Sequence, residues 1–212
     1  YMRHATQVMM TTSTTPGQGK SFISRNMAAI LSMAGKKVIL VDADIRKGTL
    51  SRTFGHTFGL TTYLSDDQCK VDDIIRVDGL TKGVDFIPAG HQAPNPAELL
   101  MSKRLEILVS ELRKRYDYVI LDTTPLFAVA DANVVARVTD TTLFIIRVGV
   151  QTRSFLPTLE RNYQDNRFKN MCIVLNDVDP EDPYKSNYGY GYGYGHHHTS
   201  KKGFIKRLRK RR

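Results

Sequence analysis

Four runs of mainly apolar residues constrain the fold of this 212-residue chain more than any other feature. They occupy residues 37–41 (KVILV), 118–121 (YVIL), 142–148 (TLFIIRV) and 171–175 (MCIVL). Near-continuous runs of Val, Ile and Leu are typical of strands in a parallel sheet that is covered on both faces. We therefore predict an α/β fold, with a mostly parallel sheet and helices on both of its faces.

Strand and helix patterns alternate along residues 1–180, which we predict to form one domain. Further strands are predicted at residues 7–12 and 84–88, and helices at residues 21–34, 102–115 and 130–138. Ligands of such sheets bind beyond the carboxyl ends of the strands. Ser13, Asp42, Asp122 and Asn176 each follow a predicted strand. We expect them to meet at one edge of the sheet and to mark a ligand site.

Residues 13–21 (STTPGQGKS) link a predicted strand to a predicted helix, which is the setting of a phosphate-binding loop. The segment matches GxxxxGK[ST] except at the first glycine position, where Thr14 stands. Glycines let backbone N–H groups approach phosphate, and the helix start adds its positive dipole end. In such loops the lysine reaches the β- and γ-phosphates and the hydroxyl binds Mg²⁺. We assign nucleotide binding to Pro16, Gly17, Gln18, Gly19, Lys20, Ser21 and Phe22.

Two other strand ends carry acidic residues. Asp42 and Asp44 follow residues 37–41, and Asp122 ends the run YVILD. Carboxylates at such positions hold Mg²⁺ or its waters, or accept a proton from an attacking hydroxyl. A single Asp there is also compatible with a helix cap or a turn. With the loop, the pattern predicts Ser21, Asp42 and Asp122 as metal ligands and Lys20, Asp42 and Asp44 as catalytic groups.

The net charge of +10 is concentrated near the C-terminus. Residues 201–212 carry eight Lys and Arg side chains and no acid, so residues 1–200 are close to neutral. We therefore expect no nucleic-acid binding by the folded domain. The basic run is compatible with contact to anionic lipid headgroups or with a merely solubilising role.

Residues 181–212 are predicted to be a disordered tail, because a stretch of alternating Tyr and Gly without aliphatic residues cannot form a core. The tail holds a cluster of candidate phosphate acceptors: Tyr184, Tyr188, Tyr190, Tyr192 and Tyr194. The alternative is a low-complexity aromatic segment that adheres to surfaces. The three histidines at 196–198 are interpreted as solvated rather than as a metal site.

Three segments together resemble the Walker A, A′ and B motifs of bacterial tyrosine kinases, in the MinD/ParA-like branch of P-loop ATPases. They are the loop containing Pro16, residues 41–44 (VDAD) and residues 120–125 (ILDTTP), which residues 130–132 (ADA) follow. The resemblance implies ATP and Mg²⁺ as ligands. It assigns phosphate and metal contacts to Lys20 and Ser21, and metal and base roles to Asp42 and Asp44. Asp122 would serve the metal, and Asn176 would meet the adenine base.

The resemblance also implies a function: autophosphorylation of the tail tyrosines, with one copy of the chain acting on the tail of another. Such kinases regulate the synthesis and export of capsular or extracellular polysaccharide. The implied partners are further copies of the chain, forming a ring in the full-length protein, a transmembrane co-polymerase segment and a tyrosine phosphatase. The implied location is the cytoplasmic face of the bacterial inner membrane, with this segment itself soluble.

An ATPase switch of the MinD/ParA type, without kinase activity, is the alternative function. That group usually carries a lysine near the start of its phosphate loop, where this chain has Ser13, Thr14 and Thr15. A switch also has no evident use for clustered tyrosines. The two functions differ in whether ATP turnover modifies tyrosine.

Overall fold

A computed structural model of the chain describes residues 7–53, 58–126 and 131–178. The predicted tail and its tyrosines lie outside these ranges, so the tail, its disorder and the domain boundary near residue 180 remain predictions. Within the described ranges, no helix is both long and apolar enough to span a bilayer.

A seven-stranded sheet forms the centre of the domain, in the order β3-β4-β2-β5-β1-β6-β7. Its strands are β1 (Val8–Ser13), β2 (Val38–Asp42), β3 (Arg76–Thr81), β4 (Val84–Ile87), β5 (Tyr118–Asp122), β6 (Thr141–Arg147) and β7 (Met171–Asn176). All neighbours are parallel except β3, which runs antiparallel to β4 at the sheet edge. The predicted mostly parallel sheet is confirmed.

Among the described residues, seven α-helices connect and cover these strands. They are α1 (Lys20–Met33), α2 (Leu60–Ser65), α3 (Val71–Ile74), α4 (Pro96–Met101), α5 (Lys103–Arg115), α6 (Asp131–Ala136) and α7 (Leu156–Gln164). The predicted helices at 21–34 and 102–115 correspond to α1 and α5 within a residue or two. The prediction at 130–138 corresponds to α6, although residue 130 lies outside the described ranges. The sequence patterns did not predict four helices and the edge strand: α2, α3, α4, α7 and β3.

The core lies on both faces of the sheet because successive strand residues point to opposite sides. Leu40 and Ile120 belong to a cluster packed against Ala28 of α1. Ile39 and Val119 belong to a larger cluster on the other side, which includes side chains of α2, α4, α5 and α6. This two-sided burial explains why β2 and β5 are almost continuously apolar rather than alternating.

The strand register aligns the carboxyl ends of the central strands. Asp42 of β2 pairs with Asp122 of β5, and Thr11 of β1 pairs with the same Asp122. Arg147 of β6 pairs with Asn176 of β7. The polar residues that end these strands therefore meet at one edge of the sheet, as predicted.

Candidate functional site

The loop between β1 and α1 has the backbone of a phosphate-binding loop. Gly17 and Gly19 have φ values of 82° and 93°, in the left-handed region that favours glycine. A Cβ atom at Gly19 would lie 2.2 Å from the Asn176 Nδ2 atom, so a side chain there would collide with β7. No side chain caps the start of α1 and no acid lies in its first turn. The positive end of the helix dipole is therefore left for an anion.

Gln18 fixes this loop to the ends of two strands. Its Oε1 atom accepts a hydrogen bond of 2.6 Å from the Arg147 amide, and its backbone oxygen accepts one of 2.9 Å from Asn176 Nδ2. Its Nε2 atom donates to Thr15 Oγ1 at 3.1 Å. The Gln18 side chain is fully buried and engaged within the protein. Its predicted contact with nucleotide would therefore involve the backbone, while the side chain holds the loop in place.

Asp122 joins the loop helix to β5. Its Oδ2 atom accepts a hydrogen bond of 2.5 Å from the Ser21 hydroxyl. Its Oδ1 atom accepts from Thr11 at 3.0 Å and from Ser24 at 3.1 Å. Burial raises the pKa of Asp122, and the hydrogen bond from Ser21 and the charge of Lys20 oppose that shift. The two residues predicted as metal ligands from separate motifs are thus in direct contact.

Asp42 is buried in a pocket built around Ser51. Its Oδ2 atom accepts hydrogen bonds from the Ser51 amide at 3.0 Å and from the Ser51 hydroxyl at 2.6 Å. Its Oδ1 atom has no hydrogen-bond partner among the described residues. Burial raises the pKa of Asp42 to about 7, the Ser51 hydroxyl opposes the shift, and the charges of Asp122 and Asp44 add to it. The Oδ1 atom of Asp42 is therefore available to coordinate a cation.

A cavity of about 390 Å³ opens above the loop. Lys20, Ser21 and Asp44 line it, together with Pro16, Gly17, Gly19, Phe22, Lys47, Thr49, Arg52 and Pro125. Lys20 is largely buried, and burial lowers its pKa while the charges of Asp122 and Asp44 oppose the shift. The structure therefore places most of the predicted loop residues on one cavity. Asp42, Asp122 and Asn176 are not among its lining residues, although Asp122 contacts Ser21 and Asn176 contacts Gln18 of the loop.

The donor set beneath the cavity fits Mg²⁺ bound with a nucleotide. Ser21 and Asp122 are in contact, Asp42 has an unpaired buried oxygen, and all three offer hard oxygen ligands. Mg²⁺ in nucleotide sites is usually held by one or two protein oxygens, by waters and by the phosphates themselves. The described residues contain no cluster of three or more His, Cys, Asp or Glu side chains arranged to hold a metal.

Four residues support the site without having been predicted. Ser51, Thr11 and Ser24 hold the two buried carboxylates through the hydrogen bonds given above. Arg46 makes a bidentate ion pair with the buried Asp131, with its Nε and Nη2 atoms 2.6 Å and 3.1 Å from the carboxylate oxygens. This pair ties the segment after β2 to the start of α6. Asp131 lies within the segment 130–132 and Arg46 lies two residues beyond the segment 41–44, but nothing in the sequence indicated that they meet.

Comparison with known proteins gives consistent relatives. A family model described as an AAA domain matches residues 6–156. The tyrosine-protein kinase wzc of Salmonella typhimurium is 34% identical over 179 residues, which are 84% of this chain and 25% of that protein. The kinase domain of Escherichia coli tyrosine kinase ETK is 33% identical with a TM-score of 0.74, and the match covers 91% of this chain and 74% of that structure.

A more distant likeness concerns the fold alone. A Cyanothece McdA variant, solved as an ATP complex, is 21% identical with a TM-score of 0.60; the match covers 80% of this chain and 69% of that structure. The chain spans about a quarter of the length of the curated relatives that it matches.

Proposed function

This chain is an AAA-domain protein of the bacterial tyrosine-kinase family, and we propose that it transfers the γ-phosphate of ATP to its own C-terminal tyrosines, between copies of the chain. The contact between Ser21 and Asp122 carries the proposal, because it joins the phosphate loop to the acidic strand end. Lys20 and Asp44 line the cavity directly above that contact.

The proposed reaction is an in-line displacement at the γ-phosphorus. The tyrosine oxygen forms a bond to phosphorus, the bond from phosphorus to the β,γ-bridging oxygen breaks, and ADP leaves. Asp44 is the proposed acceptor of the tyrosine proton because it lines the cavity, whereas Asp42 lies behind Ser51. The acceptors would be Tyr184, Tyr188, Tyr190, Tyr192 and Tyr194, which lie outside the described residues.

The remaining site residues bind and orient the nucleotide in this proposal. The loop amides and Lys20 hold the β- and γ-phosphates. Asn176, which donates a hydrogen bond to the Gln18 backbone oxygen, is the proposed contact to the base. Mg²⁺, when bound by Ser21, Asp42 and Asp122, neutralises the phosphate charge. Catalysis then rests on positioning and charge stabilisation, which suits a site whose carboxylates are fixed by hydrogen bonds.

The biological setting is proposed from the family. We infer that the chain regulates exopolysaccharide or capsule synthesis and export at the cytoplasmic face of the inner membrane. Its proposed partners are further copies of itself, a transmembrane co-polymerase segment and a tyrosine phosphatase. Nucleic acid is not among them, because the described domain and its flanks up to residue 200 are nearly neutral.

The decisive experiment incubates the purified chain with Mg·ATP and maps phosphotyrosine by mass spectrometry. We expect phosphate on tail tyrosines, and a loss of at least about 100-fold in Lys20→Met, because loop lysine and phosphate must meet for transfer. Lys36→Met, at an exposed position after α1, is the matched control and should label normally. Phosphate release without tyrosine modification would instead support the alternative function, an ATPase switch of the MinD/ParA type.

Transfer between copies is tested by mixing. An active chain that ends at residue 180 is combined with full-length Lys20→Met chain, so that the only tail belongs to the inactive copy. Phosphate on that tail is the expected result. An unlabelled tail, with normal labelling of the intact active chain, would mean transfer within one copy.

A further inference from the structure

The segment after β2 forms one wall of the cavity and is anchored from behind. Gly48 and Ser51 are buried, and the Ser51 hydroxyl both donates to Asp42 and accepts a 2.7 Å hydrogen bond from the Ala89 amide. A Cβ atom at Gly48 would lie 3.4 Å from the Ala89 Cβ, so the backbone packs closely against the neighbouring loop. Lys47 and Arg52 are exposed and line the cavity. The inward anchors hold these two cations on a fixed wall.

The positive charges of Lys47 and Arg52 are available to bind an anionic ligand. Within residues 7–53, 58–126 and 131–178, neither Lys47 nor Arg52 forms an ion pair with an acidic side chain. Lys20, in contrast, faces Asp122 and Asp44. The cavity thus has an inner part where charges oppose each other and an outer wall with two uncompensated positive charges. Such a wall favours an anionic group beside the reacting phosphate.

The proposed acceptor segment carries a matching negative run in its sequence. Asp179, Glu181 and Asp182 come just before Tyr184, and residues 183–212 contain no acid. Tyr184 is therefore the one tyrosine of the cluster with acidic residues at its side. Two residues of extended chain, the separation of Asp182 and Tyr184, span about 7 Å, which is on the scale of a 390 Å³ cavity.

We propose that Lys47 and Arg52 bind the acidic run at residues 179–182 of another copy and so present Tyr184 as the first acceptor. This inference rests on the proposed kinase function and adds the order of modification and its cause. The interaction would distinguish Tyr184, which Pro183 and Lys185 flank, from the tyrosines at positions 188, 190, 192 and 194, each of which has a glycine neighbour. It is also sensitive to salt, because contacts between exposed charges are screened.

The test uses two chains that each contain residues 1–212, an active donor and a Lys20→Met acceptor. Phosphorylation of Tyr184 on the acceptor is followed over time. Donor Lys47→Gln/Arg52→Gln and acceptor Asp179→Asn/Glu181→Gln/Asp182→Asn should each lower kcat/KM for Tyr184 by about three- to tenfold, since exposed ion pairs are individually weak. Combining donor and acceptor changes should add little, because both remove the same contact. Donor Lys36→Gln/Lys82→Gln, which removes two exposed charges elsewhere, is the matched control.

Charge reversal provides the strongest support. A donor with Lys47→Glu/Arg52→Glu should label the unmodified acceptor poorly, and labelling should recover with an Asp179→Lys/Glu181→Lys/Asp182→Lys acceptor. Early labelling at another tyrosine in the unmodified pair would overturn the inference. A second result would also overturn it: the Lys47→Gln/Arg52→Gln donor has a raised KM for ATP, and its labelling rate does not depend on the charge of the acceptor. Lys47 and Arg52 would then bind the γ-phosphate rather than the acidic run. If the unmodified pair labels no tyrosine, the proposed function itself fails.

Discussion

At the scale of single residues, the site places carboxylates where water does not reach them. Asp42 and Asp122 are almost fully buried and adjacent in register. Burying a charge costs free energy unless it is paired or hydrogen-bonded. Five groups offset this cost: the Ser51 amide and the hydroxyls of Ser51, Thr11, Ser21 and Ser24. The site is thus arranged to bind a cation. When no cation is bound, its buried carboxylates lower the free energy of unfolding.

Asp42→Asn should make the protein more stable and less active. The pKa of Asp42 is raised to about 7 in the folded chain, against about 3.9 when unfolded. Ionisation therefore opposes folding, and stability falls as pH rises from about 4 to about 7. At pH 8 the substitution should raise the free energy of unfolding by ~2 kcal/mol in urea titrations with EDTA. Tyrosine labelling should fall by about 100-fold or more.

Ser51→Ala is the counterpart of that substitution. It removes the hydroxyl from a carboxylate that stays buried, so the free energy of unfolding should fall by about 1–3 kcal/mol under the same conditions. Asp42→Asn protein that unfolds more easily than the unmodified chain would contradict this account of the site.

Single residues were predictable where a motif fixes both their type and their spacing. Lys20, Ser21 and Asp122 follow from the loop and the strand end, and the structure brings them together. Ser51 was not predictable, because a serine nine residues beyond Asp42 is compatible with many turns. The engagement of the Gln18 side chain with the Arg147 amide was equally hidden, since it depends on the neighbouring strand.

At the scale of elements, long periodic segments were predictable and short ones were not. The runs behind β2 and β5 and the helices α1 and α5 carry their own signal. Helices α2 and α3 have six and four residues, and helices this short depend on tertiary packing. Strand β3 includes Gly79 and an Asp78 with φ of 52°, so it lacks a strand-like pattern. These elements form because Leu60, Leu64 and Ile74 complete the core.

Arg46→Met should destabilise the junction between β2 and α6. The Asp131 carboxylate is 1% exposed, and losing Arg46 leaves it buried without its ion-pair partner. Removing one partner of a buried ion pair usually costs ~3–5 kcal/mol. Because the Arg46 side chain is 37% exposed, we expect a smaller loss of ~2–3 kcal/mol in the free energy of unfolding. Labelling should also weaken, because the segment that bears Asp44 loses its tie to α6.

A double variant separates these causes. Adding Asp131→Asn to Arg46→Met removes the unpaired charge and should restore part of the stability, as measured by urea unfolding. A double variant no more stable than Arg46→Met would show that the buried charge is not the source of the loss.

At the scale of the whole molecule, the edge of the sheet opposite the site is held together by Asp140. Its carboxylate accepts hydrogen bonds from the Val8 amide at 2.8 Å and from both terminal nitrogens of Arg113 at 2.7 Å. Its backbone oxygen accepts one from Asn170 Nδ2 at 2.8 Å. One residue therefore connects the starts of β1, β6 and β7 with the end of α5.

Asp140→Asn should destabilise the chain in a pH-dependent way. Burial raises the pKa of Asp140, but the bonds from Arg113, Val8 and Gln7 outweigh it and leave the pKa below its usual value. Its contribution is therefore present above pH ~4 and is lost as pH falls through the folded-state pKa. We expect a loss of ~1–2 kcal/mol at pH 7 that shrinks toward pH 3 in urea titrations. Asp165→Asn, in an exposed pair with Arg167, should change stability by less than about 1 kcal/mol.

The strand order also has a consequence for how the protein is made. Of the described strands, β1 is synthesised first, yet its neighbours in the sheet are β5 and β6. The phosphate loop that follows β1 is tied down by Arg147 and Asn176, which are among the last described residues to emerge. At about 5–20 residues per second, a nascent chain waits roughly 10–30 s between the synthesis of this loop and the arrival of its supports. During that interval β1 has no neighbouring strand, so Val8, Met9 and Met10, which are buried in the folded protein, stay exposed to solvent.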